Sequence, residues 1–311
     1  MTLVRAPLSC PVAEPLRGSV AVMGNFDGVH LGHRALIAEG RRLAERLGRP
    51  LSAVTFEPHP RRVFRPDAPP FILTPLAAKA ELLEEAGCET VFALPFVEEL
   101  HRQTPEAFVE EVLKSTLGLA GVATGTDFQF GAGRSGSSAT LAKIAGSLGL
   151  TYKAIEPVGD GDEKYGSSAI RDALREGRPR DAAAMLGYLW FLDGEVSEGR
   201  RLARELGFPT ANLVLGDVLR PLYGVYAVEV DLDQQRLPAI ANIGVRPTVD
   251  GKEERLEVHL FDWDGDLYGR TIRCRFVEFI REEKPMASLD ALKAQIGEDC
   301  RKARQVLGIA P

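Results

Sequence analysis

Cysteine is scarce in this chain. Four occur in 311 residues, at Cys10, Cys88, Cys274 and Cys300, and no two form a CxxC pair. That spacing argues against a thiolate zinc site and a disulfide framework, and leaves the thiols as buried or idle groups. Long apolar runs are missing too: no stretch approaches the ~20 residues of a membrane span, and Met1–Pro7 is too poor in apolar residues for a signal peptide. The expected location is the cytoplasm, with no membrane partner. Nor is there an excess of positive charge. A formal net charge of -6 gives no general attraction to nucleic acid or anionic lipid, so any phosphate must be held by local geometry. Finally, no GxxxxGK[ST] string occurs, which excludes a P-loop kinase.

What is present is a chain of average globular composition, 45% hydrophobic and 26% charged, whose length predicts two domains with real cores. Up to about Gly177, short apolar runs alternate with amphipathic ones. Strands are expected at Val20–Met23, Leu51–Phe56, Thr90–Leu94, Val122–Thr124 and Tyr152–Ile155. Helices are expected at His33–Gly48, Ala77–Gly87, Pro105–Leu117 and Ser138–Gly149. Such alternation implies βαβ units and a parallel sheet with ligands at the carboxyl ends of its strands. Beyond Leu186, β-rich runs follow one another directly, at Trp190–Val196, Tyr223–Val230, Arg236–Ile243, Arg255–Leu260 and Thr271–Phe279, which suggests a small antiparallel barrel. Leu289, Leu292, Ile296, Cys300, Ala303 and Leu307 then recur at helical steps, as one face of a closing helix.

The first strand runs into Gly24-Asn25-Phe26-Asp27-Gly28-Val29-His30-Leu31-Gly32-His33. Glycines let backbone approach a phosphate, a helix N-terminus supplies N–H groups and a favourable dipole, and the paired histidines add donors for charge growing on an α-phosphate. Taken alone, HxGH reads equally well as a helix cap beside an exposed histidine. Its place in the first crossover of a parallel sheet tips the reading toward a ligand site. Gly131–Gly136 formally matches GxGxxG but follows the fourth strand, so a dehydrogenase is rejected in favour of a loop over substrate. Lys164–Arg171 sets hydroxyls at a helix start between basic groups, a pattern that an ordinary serine cap also produces. In the second half, Thr210 and Asn212 offer two oxygens on one side of an extended segment, suited to Mg²⁺ carrying a nucleotide or to an ordinary strand edge.

These strings resemble the bacterial bifunctional riboflavin kinase/FAD synthetases in order and spacing. GNFDGVHLGH, TFEPHP at Thr55–Pro60, LPF at Leu94–Phe96, GTDFQFGAGRSG at Gly125–Gly136 and SSAIR match the N-terminal module. LGFPTAN, YGVYAV at Tyr223–Val228, ANIGVRPT at Ala241–Thr248, LEVHLFD at Leu256–Asp262, GDLYG at Gly265–Gly269 and FIREEK at Phe279–Lys284 match the kinase barrel. The alternation stops at the short helical stretch Pro179–Leu186, which places a domain boundary near Gly187. The resemblance implies an α/β, Rossmann-like nucleotidyltransferase domain with a parallel sheet before that boundary, over residues 1–186. A small antiparallel β-barrel riboflavin kinase domain with a C-terminal helix follows over residues 187–311.

It further implies that riboflavin and ATP give FMN and ADP in the second half, and that FMN and ATP give FAD and pyrophosphate in the first, with Mg²⁺ accompanying ATP. By position, His30 and His33 would be catalytic. Gly24, Asn25, Phe26, Asp27, Asp127, Lys164, Ser167, Ser168 and Arg171 would bind the ATP of adenylylation. In the kinase half, Glu257 would be the base, Thr210 and Asn212 would hold the metal, and Gly199, Arg204, Gly207, Phe208, Pro209, Asn242 and Arg281 would contact ATP or flavin. Partners would be small molecules, and a homo-oligomer is compatible with all of this. Retention of only one activity, or of flavin binding without turnover, are the alternatives. The chain departs from the family pattern at Gly166, which precedes Ser-Ser where Ser-Ser-Thr is usual, at Lys164 where Arg is common, and at Ala203, which replaces a loop glycine.

Overall fold

Val20–Met23 (β2) is buried along its whole length, as a strand covered on both faces must be. It is the central member of a six-stranded parallel sheet. The computed structural model describes residues 2–156, 159–160, 163–164, 166–197, 208, 210–248 and 251–310. The chain forms two compact units, Met1–Ser167 and Ser168–Pro311.

In the first unit the strand order is Thr2–Arg5 (β1), Thr90–Pro95 (β4), Leu51–Glu57 (β3), β2, Gly121–Gly125 (β5) and Thr151–Ile155. The expected strands all form. β1 was not expected, and it adds a parallel edge by pairing with β4 from Thr2 with Thr90 to Arg5 with Ala93. Helix Leu31–Leu47 (α1) buries Ile37, Gly40, Leu43 and Ala44 on one face and stops at Gly48, whose φ of 62° is the left-handed geometry of a helix end. Gly40 lets α1 approach β2 closely: a Cβ there would lie 2.3 Å from Val22 Cγ1. A short helix Pro60–Phe64 (α2) and the helix Leu76–Glu85 (α3) follow β3. The segment expected as one helix over Pro105–Leu117 begins with α-geometry at Pro105–Ala107 and continues as a wider π-helix through Phe108–Thr116.

In the second unit six antiparallel strands close a barrel in the order Phe191–Ser197, Ala211–Val214, Gly251–Leu260, Gln235–Thr248, Gly224–Leu232 and Thr271–Glu282. Trp190, Tyr226, Phe276 and Cys274 are among its fully buried side chains. The closing helix Leu289–Leu307 lays Cys300 and Ala303 against Val225, Ala227, Ile240 and Phe261. Leu289, expected on that buried face, is 60% exposed, because it opens the helix one turn before the contact begins. Among the described residues, no helix is long and apolar enough to cross a membrane.

Two candidate active sites

The loop between β2 and α1 is held in a conformation few residues adopt freely. Phe26 and Val29 have φ of 49° and 37°, and Gly28 has 88°. Positive φ in a non-glycine residue needs outside support, and buried Asp27 supplies it. Asp27 Oδ1 accepts hydrogen bonds from the Leu73 and Thr74 N–H groups at 2.9 and 3.1 Å. The Gly28 N–H donates to Thr74 Oγ1 at 2.9 Å, and the Ser167 hydroxyl donates to the Asp27 carbonyl at 2.8 Å. The Thr55 hydroxyl donates to the Asn25 carbonyl at 3.1 Å. Phe26, one of the expected ATP contacts, is itself fully buried and packs edge-on to His33 at 5.2 Å.

His30 caps α1, its Nδ1 accepting the His33 N–H at 3.3 Å, so that its own ring proton stands on Nε2. The two imidazoles stack with centroids 3.6 Å apart. Burial holds His33 well below its ordinary pKa, and His30 and Lys79 push in the same direction. At neutral pH His33 is therefore the neutral imidazole. Its Nδ1 is buried with no hydrogen-bond partner, an orphan of the sort that marks functional sites.

Gly24, Asn25 and Asp127 line a cleft of ≈ 780 Å³, together with Phe56, Phe96 and Phe128. His30 and His33 do not line it. The aromatic side chains lie in two groups along the cleft: Phe56 meets Phe96 edge-on at 5.8 Å, and Phe128 stacks with Phe130 at 5.8 Å. Arg61 and Arg134 lie at the same cleft. Nothing in the strings that hold these phenylalanines marks them individually; the signal in the sequence is their common position at the carboxyl ends of β3, β4 and β5. Lys79, 2% exposed on α3, is likewise unmarked in the sequence.

Of the remaining expected adenylylation residues, Ser168 is exposed and Arg171 is buried in helix Ser167–Arg175, and both fall in the second unit. Lys164 lies in the short strand Glu163–Lys164.

In the barrel, strand register sets Asn212 and Asn242 opposite Glu257 on either side. Glu257 and His259 alternate outward from buried Leu256, Val258 and Leu260, toward the closing helix. There they line a cavity of ≈ 250 Å³ shared with Phe208, Thr210, Asn242 and Arg281. Asn212 is 4% exposed and its side-chain amide points back to the Thr210 carbonyl at 3.5 Å. Phe208 packs edge-on to His259 at 5.7 Å. Arg281 is fixed by a fork: its Nε and Nη2 donate to buried Asp299 on the closing helix, with Nη2 to Oδ2 at 2.7 Å. Gln295, one turn earlier, donates to the other Asp299 oxygen at 2.8 Å. The donors gathered near Glu257 are hydroxyl, amide and carboxylate oxygens, the set a hard divalent cation prefers. Gly199, Arg204, Gly207 and Pro209, and the Ala203 departure, lie outside the described residues.

A glycine-bearing crossover loop with paired histidines in one unit, and an oxygen-lined barrel cavity in the other, are the arrangement expected of a two-site transferase that uses nucleotides. A family model described as FAD synthetase matches residues 12–169, and one described as riboflavin kinase matches residues 186–307. The chain is 42% identical to the bifunctional riboflavin kinase/FMN adenylyltransferase of Pseudomonas fluorescens over 93% of each chain, and 40% identical to that of Escherichia coli (strain K12) over 95% of each. A Streptococcus pneumoniae crystal structure described as a macrolide-efflux protein superposes with a TM-score of 0.86 at 29% identity, covering 97% of this chain and 98% of that one. The chain belongs to the bifunctional riboflavin kinase/FMN adenylyltransferase family. Its N-terminal part is an FAD synthetase domain and its C-terminal part a riboflavin kinase domain, so it makes FMN and then FAD.

Proposed function

We propose that the two reactions run at the two sites just described, with the functional division at Gly187, so that residues 1–186 adenylylate and residues 187–311 phosphorylate. The family models support this division by leaving 170–185 unmatched between them.

In the first site, a phosphate oxygen of FMN attacks the α-phosphate of ATP, the bond to the β-phosphate breaks, and pyrophosphate leaves. His33 and His30 donate to the α-phosphate oxygens as charge grows there, and the loop N–H groups and the α1 dipole add to them. A neutral His33 serves as a donor without spending a proton. The aromatic cleft receives the isoalloxazine ring of FMN, which aromatic side chains bind by stacking. Asn25, Asp27 and Asp127 orient the nucleotide, and Ser167 fixes the loop carbonyl. The assignment of Lys164, Ser168 and Arg171 to the triphosphate rests on the family resemblance.

In the second site, Glu257 takes the proton of the riboflavin 5′-hydroxyl as that oxygen attacks the γ-phosphate of ATP, and ADP leaves. Thr210 and Asn212 would hold Mg²⁺, which neutralises charge on the ATP phosphates. Arg281, held by Asp299, faces the flavin or nucleotide within the cavity. The register that sets Glu257 between Asn212 and Asn242 is the observation that carries this assignment. Glu257→Gln should lower riboflavin phosphorylation by about 10²–10⁴ and spare adenylylation of supplied FMN. Normal kinase turnover in that variant removes Glu257 from the mechanism. All partners are small molecules, and the protein works in the cytoplasm.

A further inference from the structure

Lys79 is buried at 2% exposure on α3 and takes no part in either reaction above. An ammonium group in that position is costly unless it is paired. Its Nζ lies 3.4 Å from Thr55 Oγ1. Thr55 has one hydroxyl proton, and that proton goes to the Asn25 carbonyl at 3.1 Å. The Thr55 oxygen can then only accept, and an ammonium can only donate. A directed chain results, from Lys79 through Thr55 to Asn25, and Asn25 immediately precedes the strained Phe26.

The charges around Lys79 come from three elements. Asp27 on the loop and Glu57 on β3 favour its ammonium form, against burial, which lowers its pKa overall. His33 on α1 feels the opposite effect, since the Lys79 charge opposes a second cation there.

We propose that Lys79 is a positioning residue for adenylyl transfer: it anchors the loop before Phe26 through Thr55. Its charge also opposes protonation of His33. The proposal rests on the reading of His33 as catalytic. Its two effects are separable. Thr55→Val breaks the relay and leaves the charge, whereas Lys79→Met removes both.

The test compares full-length wild type, Lys79→Met, Thr55→Val and His33→Ala. FAD formation from FMN and ATP is measured as kcat and KM, and the His33 ring is titrated by NMR in the first three. Lys79→Met is expected to lower kcat by about tenfold or more with little change in KM for FMN, and to move the His33 titration to higher pH. Thr55→Val should lower kcat less and leave that titration in place. A folded Lys79→Met protein with wild-type kcat, or with an unmoved His33 titration, overturns the proposal. Should Lys79→Met fail to fold, a wild-type kcat in Thr55→Val overturns the relay. His33→Ala separates the two layers: full FAD formation in that variant sinks the catalytic reading of His33, while its loss beside an unaffected Lys79→Met sinks the Lys79 proposal alone.

Discussion

Replacing Asp27 by alanine strips two buried backbone N–H groups of their acceptor at once, those of Leu73 and Thr74. It also removes one of the two carboxylates that face Lys79. Hydrogen bonds to a charged acceptor are worth about 1.5–3 kcal/mol each, so the pair amounts to about 3–6 kcal/mol in the first unit. At about 2–4 °C per kcal/mol for a unit of this size, the expected fall in its melting midpoint is on the order of 10 °C. Asp27→Asn keeps an oxygen for the two N–H groups and should fall less. Optical probes distinguish the units, because both tryptophans, Trp190 and Trp263, lie in Ser168–Pro311. Far-UV circular dichroism follows both units and tryptophan fluorescence follows the second. The dichroism of Asp27→Ala should show an early transition that is absent from its fluorescence. If its dichroism melts as the wild type does, Asp27 does not hold the loop and the account of that loop's strain is wrong.

Truncating Asp299 to alanine leaves the Arg281 guanidinium without its buried partner, a change of about 3–5 kcal/mol against the second unit; a lowered fluorescence midpoint checks it, and an unchanged one refutes the fork as a structural tie. Acid should act through His33. Its folded pKa lies below the ordinary 6.5, so the folded state disfavours the proton. The contribution of that group to stability is complete above the unfolded pKa and is lost as pH falls below it toward the folded value. Between about pH 7 and pH 5, the wild type should therefore lose more stability than His33→Gln, as followed by dichroism melts; parallel losses in the two proteins would count against a desolvated, neutral His33 ring.

Much of this molecule is legible in its sequence, and the illegible parts have physical reasons. β2 and α1 announce themselves through a short apolar run, a glycine-rich loop and Gly48 as a stop, and the structure follows. β1 is four residues at a sheet edge, Thr2–Arg5, too short to show a period. The π-geometry of Phe108–Thr116 leaves the apolar spacing of an ordinary helix almost intact, so the sequence reads as one α-helix. Lys79 sits in a helix rich in charged residues, where lysine normally faces water, and only the packing of α3 on the loop reveals its burial. The aromatic cleft is assembled from segments dozens of residues apart, so no local pattern carries it. In the sequence Glu257 is an ordinary alternating strand carboxylate marked only by family position, and strand pairing sets it between two asparagines.

The two-site assignment is tested most directly by the products that His33→Ala forms from riboflavin and Mg-ATP, separated by chromatography. Wild type should yield FMN and then FAD. In the variant FMN should accumulate at nearly the wild-type rate while FAD formation falls by about 10²–10³, the loss of one preorganised donor to a transition-state oxyanion. FAD made at the wild-type rate, or riboflavin phosphorylation lost in equal measure from a folded protein, would contradict it.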